Sequence, residues 1–197
     1  MNAASVLVVA LTVVALLQLL FPTSKAWAQL LLSPWSFWER GEVWRLVTYS
    51  FVHSPDSLWH VGVNALALWI FGRPLAAQLE TRPFLALYFL CAGGGGLVAM
   101  GWPLVVRAAG ITIDPFVSTA GASGAVLGVV VADSLRSPRR EIALGFWLPP
   151  IRALYVALFL LILPFAAAAP HISWAAHLGG VATALGISLA VKDHLHK

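Results

Sequence analysis

Six apolar segments, each about as long as a helix that crosses a lipid bilayer, follow one another along the chain. Such a helix needs about 20 apolar residues, because the hydrocarbon layer is about 30 Å thick. Inside lipid the backbone must bond within the protein, so only helices and closed barrels can span it. The spacing of apolar residues is not that of strands, and we predict an all-α membrane protein with six transmembrane helices. The segments are roughly 3–22, 58–78, 83–106, 118–135, 150–169 and 172–191.

The composition excludes an ordinary water-soluble domain. Hydrophobic residues make up 60% of the 197 residues and charged residues only 10%, against about 25% charged residues in soluble domains. The single cysteine, Cys91, excludes an internal disulfide and a cysteine-based metal cluster. No basic run with interleaved aromatic residues suggests nucleic acid, and we expect neither a metal nor a cofactor. The length fits one membrane domain over residues 1–197.

The charges between the segments predict the orientation. If the N-terminus is cytoplasmic, eight Lys and Arg residues lie inside and four outside, which favours cytoplasmic N- and C-termini. A short chain without an Arg-rich presequence suggests the cell (inner) membrane. Alternatively, the first segment is a signal peptide cleaved near AWA at 26–28, although it lacks a basic region before it. The inside residues are Arg73, Arg82, Arg136, Arg139, Arg140, Arg152, Lys192 and Lys197, and the outside ones are Lys25, Arg40, Arg45 and Arg107.

The longest connection, about 23–57, is rich in large aromatic residues. Tryptophan prefers the headgroup region, so we expect this loop to fold as short amphipathic pieces in the outer interface. A simple aromatic belt would explain most of these residues equally well. Glu42 and Arg45 are three positions apart, a spacing that would pair them on one helical face. The aromatic residues are Trp27, Trp35, Phe37, Trp38 and Trp44.

Ionisable and amide side chains inside apolar segments are the candidate functional groups, because they are costly in lipid. In the second segment, His60 and Asn64 are four positions apart and share one helical face. The alternative is an interfacial histidine and an asparagine that bonds a neighbouring helix. In the sixth segment, His177 is followed by glycines that would admit a second helix, namely Gly179, Gly180 and Gly186.

The fourth segment contains STAGASGAVLG at 118–128, which places Ser123 between Gly121 and Gly124. Gly124 and Gly128 form a GxxxG pattern, so one interpretation is a seam of small residues where helices pack. The other is that Ser123 is a nucleophile. The hydrolase pattern G-x-S-x-G does not apply, because position 125 is alanine.

These groups fall in one layer of the predicted bundle. Segments two, four and six all run inward from the outer face, and His60, Asn64, Ser123 and His177 each lie a few residues below it. At 1.5 Å per residue, all four are within about 10 Å of the outer boundary. Residues used only for packing would not need to share a depth, so the coincidence favours a site.

The chemistry of the layer is that of a serine nucleophile with a histidine base. A serine hydroxyl attacks only when a base takes its proton, and His177 is the deep histidine available. No carboxylate shares this depth, since Asp114 lies in an outer loop and Asp133 near the inner end of its helix. We therefore predict a dyad without an acid. The candidate oxyanion donors are the Asn64 side-chain amide, His60 and the Ser123 backbone N–H.

The sequence resembles the rhomboid family of intramembrane serine proteases. The resemblance runs over nearly the whole chain and rests on EVWR (42–45), HVGVN (60–64), GASG (121–124) and HLGGVATALG (177–186), which occur in the family's order. It implies a six-helix rhomboid-like bundle with an interfacial first loop, and an endopeptidase that cleaves transmembrane segments near the outer face. Its partners would be transmembrane protein substrates and the lipid bilayer, and we expect a monomer.

The resemblance also implies residue roles. Ser123 would be the nucleophile and His177 its base, with His60, Asn64 and Ser123 forming the oxyanion hole. Trp44, Arg45, Gly121, Gly124 and Gly180 would be structural, Gly180 by allowing close contact between helices four and six.

Two features depart from the family pattern. The family usually has an aromatic residue four positions after the nucleophile, where it stacks on the catalytic imidazole, and this chain has Leu127. The stretch HSPDSLWH (53–60) is longer than usual between its two histidines.

Three other function classes compete with a serine protease. A catalytically weak or silent rhomboid-like protein that binds membrane clients is the main alternative. A transporter is disfavoured because no internal repeat is evident, and a metalloprotease because H-E-x-x-H is absent.

Overall fold

The apolar segments fold as helices. The computed structural model describes residues 1–53, 58–108, 110, 112–143, 149–166 and 174–195. The helices are α1 (Ala3–Leu20), α2 (Lys25–Leu30), α3 (Pro34–Trp38), α4 (Arg45–Thr48), α5 (Leu58–Ala67), α6 (Arg73–Leu79), α7 (Thr81–Ala108), α8 (Ser123–Arg136), α9 (Ala153–Ala166) and α10 (Trp174–Leu195). A π-helical stretch, Leu68–Gly72, joins α5 to α6, and two-residue strands β1 (Glu141–Ile142) and β2 (Ile151–Arg152) pair antiparallel. The predicted helical class is therefore confirmed in its main feature.

Three helices are long and apolar enough to cross a membrane by length and composition. They are α1, α7 and the Trp174–Val191 part of α10, and α9 contributes a shorter apolar stretch, Ala153–Ile162. The predicted count of six spans stays a prediction. The edges of the last two predicted spans, at 167–169 and 172–173, lie outside the described residues, as do 54–57 and Lys197.

The fourth predicted segment is wrong at its start. Residues 118–122 are not helical, and α8 begins at Ser123. Gly121 has φ +117°, a conformation that L side chains rarely adopt. The Gly121 N–H donates to the Tyr49 carbonyl at 3.0 Å, and Thr119 pairs with Leu32 as an isolated bridge. The first loop thus holds this stretch extended, and the turn at Gly121 places Ser123 at the start of the helix.

The first loop folds as the expected short pieces, α2, α3 and α4. Glu42 and Arg45 form an ion pair at 2.5 Å, as their spacing predicted, although Glu42 precedes α4 and the two do not share a helical face. Both side chains are more than nine-tenths buried. Arg45 Nη1 also donates to the carbonyls of Ala28 and Leu31, each at 2.6 Å. The Arg45 guanidinium therefore links the end of α2 to α4. The ion pair and the two hydrogen bonds compensate for the burial of its charge away from water.

Helices α7, α8 and α10 pack together through small residues. A Cβ built on Gly124 of α8 would lie 2.7 Å from the Ala176 carbonyl oxygen of α10. A Cβ on Gly180 of α10 would collide with the Gly124 carbonyl, and one on Gly128 would lie 3.0 Å from the Gly180 carbonyl oxygen. Small residues allow backbones to approach closely where no hydrophobic effect drives helices together. The predicted GxxxG seam is present and faces α10.

The seam gives a stability prediction. We expect Gly180→Ala to lower the unfolding temperature, because its methyl group has no space between α8 and α10; overpacking of this kind costs about 1–3 kcal/mol. Gly186→Ala on the same helix is the matched control, because nothing lies within 4 Å of its Cβ position. Thermal unfolding of both purified variants in detergent measures the difference. Equal unfolding temperatures for the two variants would contradict the seam.

Candidate active site

Ser123 and His177 come together at the start of α8. The Ser123 Oγ lies 2.6 Å from the His177 Nε2, across 54 positions of sequence. His177 is on the first described turn of α10, one residue after Ala176, whose carbonyl touches the Gly124 position. The close approach of the two backbones is therefore what brings the hydroxyl and the imidazole within hydrogen-bond reach.

The second ring nitrogen of His177 carries no acid partner. Among the described residues, His177 Nδ1 is buried and has no hydrogen-bond partner. Asp114 accepts the Phe116 N–H in its own exposed loop. Asp133 is fully buried at the other end of α8, about 15 Å from Ser123 along the helix, where it pairs with Arg140. Among the described residues, Ser123 and His177 thus form a pair with no carboxylate bonded to the imidazole, and the catalytic dyad stays a prediction.

The predicted oxyanion donors lie beside the same helix start. Asn64 on α5 is buried, and His60 one turn earlier is half-buried. The His60 ring lies against Gly121, since a Cβ there would be 2.9 Å from the His60 Cε1. Ser123 is the first residue of α8, where backbone N–H groups have no partner within the helix and the helix dipole is positive. His60 thus lies against the turn that precedes Ser123, and Asn64 reaches the same turn through His53, whose ring faces the Ala122 nitrogen.

The remaining predicted structural residues fall into two groups. Arg45, Gly121, Gly124 and Gly180 have the buried contacts described above, whereas Trp44 is 54% exposed at the start of α4. Leu127, one turn after Ser123 on α8, is buried, with 6% of its surface exposed. It offers no aromatic face and no hydrogen-bonding group to the site.

The comparison with known families agrees with this geometry. The Rhomboid domain family model matches residues 40–193. The chain belongs to the rhomboid family. All four motifs on which the resemblance rests lie inside the matched range, so the family predicted from them is confirmed. Together with the three long apolar helices, membership makes the chain a membrane protein.

Two curated rhomboid relatives are similar over part of their length. Rhomboid protein 1, mitochondrial, of Saccharomyces cerevisiae is 38% identical over 132 residues, which is 64% of this chain and 36% of that protein. RHOMBOID-like protein 12, mitochondrial, of Arabidopsis thaliana is 30% identical over 154 residues, which is 73% of this chain and 45% of that protein. The aligned region spans less than half the length of either relative.

His53 is a buried histidine beside the predicted site that the sequence analysis did not single out. It begins the long stretch 53–60, yet it is only 3% exposed. Its Nε2 lies 3.4 Å from the Ala122 backbone nitrogen and 3.3 Å from the Asn64 Nδ2. Its ring packs edge-on against His60, with the centroids 5.5 Å apart. The sequence signal for it is its place just before an apolar segment that already contains a histidine, His60.

The protonation of His53 gives a pH prediction. Burial, and then the neighbouring His60, lower the pKa of His53 from 6.5 to about 4. As the pH falls below about 6.5, the unfolded chain binds a proton that the folded chain excludes, so the folded state loses about 2 kcal/mol by pH ~5. We expect His53→Gln, which cannot titrate, to flatten the fall in unfolding temperature between pH ~7 and ~5. Parallel curves for the variant and the wild type would refute the buried neutral histidine.

Proposed function

We propose that this rhomboid protein is an intramembrane serine endopeptidase that cleaves transmembrane segments of other membrane proteins near the outer membrane face. The observation that carries the proposal is the 2.6 Å contact between the Ser123 Oγ and the His177 Nε2 at the start of α8. Nucleophile and base within about 2.6–3.2 Å is the geometry that activates a serine hydroxyl. Rhomboid proteins are generally intramembrane serine proteases, which agrees with this chemistry.

Acylation follows from the geometry. Neutral His177 accepts the Ser123 proton at Nε2 while the Ser123 Oγ attacks the carbonyl carbon of the scissile peptide. The carbonyl oxygen becomes an oxyanion, and the imidazolium at His177 is left beside it. The imidazolium then gives its proton to the leaving nitrogen, the C–N bond breaks, and an ester joins Ser123 to the first fragment. One proton has moved from oxygen to nitrogen, and the charges cancel.

The oxyanion is stabilised by groups already in place. The Asn64 side-chain amide, His60 and the Ser123 N–H supply donors, and the N-terminus of α8 adds the positive end of its dipole. A single such donor is worth about 10²–10³ in rate in other serine proteases. Hydrolysis of the ester repeats these steps with water as the nucleophile. His177 takes a proton from that water and gives it to the Ser123 Oγ as the ester C–O bond breaks, which releases the second fragment as an acid.

The membrane setting is part of the proposal. We assign six transmembrane helices within one domain over residues 1–197, with both termini cytoplasmic and the site near the outer face of a cell (inner) membrane. The continuous helical run from α5 through the π-helical stretch to α6 supplies the second span. Helices α8 and α9 supply the fourth and fifth. The partners are transmembrane protein substrates and the surrounding lipid, and the protein acts as a monomer.

A catalytically weak or silent client-binding protein is the second candidate. The observation that favours it is the lack of support for the His177 ring, because Nδ1 has no partner among the described residues and Leu127 replaces the usual aromatic residue. An unsupported imidazole spends less time in the orientation that takes the proton. Fluorophosphonate labelling separates the candidates, since an activated Ser123 is labelled in folded protein and a silent one is not.

Substitution of the serine tests the protease directly. We expect Ser123→Ala to abolish cleavage of a reporter with one transmembrane segment in liposomes, because it removes the nucleophile. His177→Ala should reduce cleavage by at least about 10³-fold. Fragments are quantified by gel electrophoresis and mass spectrometry.

The matched control is Ser134→Ala on the same helix. Ser134 is buried, and its hydroxyl donates to the Val130 carbonyl one turn earlier on α8, far from His177. We expect this variant to cleave like the wild type. Cleavage by Ser123→Ala at the wild-type rate would eliminate the serine mechanism, and loss of cleavage in Ser134→Ala would show that removing any α8 serine is damaging.

A further inference from the structure

We propose that Gln18 and His53 are positioning residues that set the oxyanion hole of this site. The inference rests on the proposed protease function. It extends that function to two side chains that lie outside the reacting groups, one of them on α1. Gln18 precedes the stretch 40–193 that matches the family, so its role is argued from contacts alone.

The Gln18 side chain binds both polar groups of the His53 backbone. The Gln18 Nε2 donates to the His53 carbonyl at 2.8 Å, and the His53 N–H donates to the Gln18 Oε1 at 2.9 Å. Both residues are buried, with 5% and 3% of their surfaces exposed. One amide side chain therefore satisfies both polar groups of a buried backbone unit, as a strand partner would. Without it, a donor and an acceptor would be left unpaired away from water.

The His53 ring accepts hydrogen bonds from two donors on other parts of the chain. The Ala122 N–H can only donate, so the His53 Nε2 facing it must accept, and the ring is neutral with its proton on Nδ1. The same Nε2 faces the Asn64 Nδ2, which is also a donor. A single acceptor thus holds two donors, one on α5 and one in the turn before α8.

The consequence for Asn64 is a fixed choice between its two ends. A carboxamide can present either its NH₂ group or its oxygen in nearly the same space. Because the His53 Nε2 is an acceptor, Asn64 must point its NH₂ group, and not its oxygen, towards His53. The Ala122 N–H lies on the same side. Because Nδ2 has two hydrogens, giving one to His53 leaves the second for the oxyanion. The opposite orientation would turn a carbonyl oxygen towards developing negative charge.

The His53 ring touches two of the proposed donors, Asn64 and His60, and the residue just before the third. His53 contacts Asn64, packs edge-on against His60 at 79°, and holds the Ala122 N–H immediately before Ser123. No other residue in the described part of the structure is shown with all three contacts. Oxyanion donors stabilise a transition state only when they are held in place beforehand. His53 is the group that holds them, and Gln18 holds His53.

The test uses the full chain in liposomes and separates rate from binding. His53→Phe keeps a planar ring but removes the acceptor, whereas His53→Gln returns a carbonyl oxygen near the Nε2 position. We expect His53→Phe to lower kcat by about 10–100-fold with little change in KM, and His53→Gln to recover most of it. A KM effect alone, or no recovery by glutamine, would overturn the proposal.

A double-mutant cycle distinguishes positioning from general stability. In an Asn64→Ala background, His53→Phe should reduce kcat only a few-fold, because the amide it orients is gone. Gln18→Leu should lower kcat in the same direction and should not add to His53→Phe. Unfolding temperatures are measured for every variant. Fully additive effects on kcat would overturn the proposal, whatever the changes in unfolding temperature.

A measurement that does not depend on cleavage tests the positioning role even if the protein is not a protease. If the wild type and Ser123→Ala cleave equally or not at all, the proposed function fails. The positioning role is then judged by NMR of the Asn64 side-chain amide in detergent. We expect its Nδ2 proton signals to shift in His53→Phe and to return towards the wild-type position in His53→Gln. Unchanged signals in His53→Phe would overturn the inference on their own.

Discussion

The close approach of α8 and α10 is the contact on which the rest of the site depends. In lipid no hydrophobic effect pulls helices together, so their spacing is set by how near the backbones can come. Gly124 and Gly180 place a carbonyl of one helix where a Cβ of the other would lie. Ser123 and His177 lie next to this helix crossing. The side chain of Ser123 is short, and the imidazole ring of His177 is rigid. A wider crossing would leave the hydroxyl and the imidazole beyond hydrogen-bond distance, whatever the rest of the protein did.

The first loop fixes the turn that precedes Ser123, as the α8–α10 contact fixes the position of His177. The Glu42–Arg45 ion pair and the two carbonyls bound by Arg45 make a rigid piece from α2 to α4. That piece presents the Tyr49 carbonyl to the Gly121 N–H, and Tyr49 in turn donates its hydroxyl to the Ala92 carbonyl of α7 at 3.0 Å. A loop that looks peripheral in sequence therefore holds the turn from which Ser123 projects. This gives the buried charged pair a structural role in a region that could have been a flexible connection.

The sequence allowed the helices and the Ser123–His177 pair to be predicted, because both depend on local signals. Apolar length identifies a helix, and polar residues in lipid are few enough to be matched by depth. The start of α8 was misplaced because apolar length cannot detect a turn stabilised by another loop, as Gly121 is by Tyr49. Gln18 and His53 could not be found from the sequence because their role depends on contacts that form only in the folded protein. Each looks ordinary alone, and only the fold brings them within reach of each other and of Asn64.

A dyad without an acid makes positioning more important. In a triad, a carboxylate orients the histidine and offsets its positive charge. In the proposed mechanism no carboxylate among the described residues faces the His177 imidazolium, so the oxyanion is its opposite charge, and their attraction is strong where water is scarce. That attraction helps only if the oxyanion forms in a fixed place. In the proposed mechanism the donors are anchored from three directions: α5 through Asn64 and His60, α8 through its own N-terminus, and α1 through Gln18 and His53. A neutral His53 also matters, because a second positive imidazole beside the donors would have no hydrogen-bond acceptor to offer them. On this proposal, the network outside the dyad would supply the order that a carboxylate supplies in a triad.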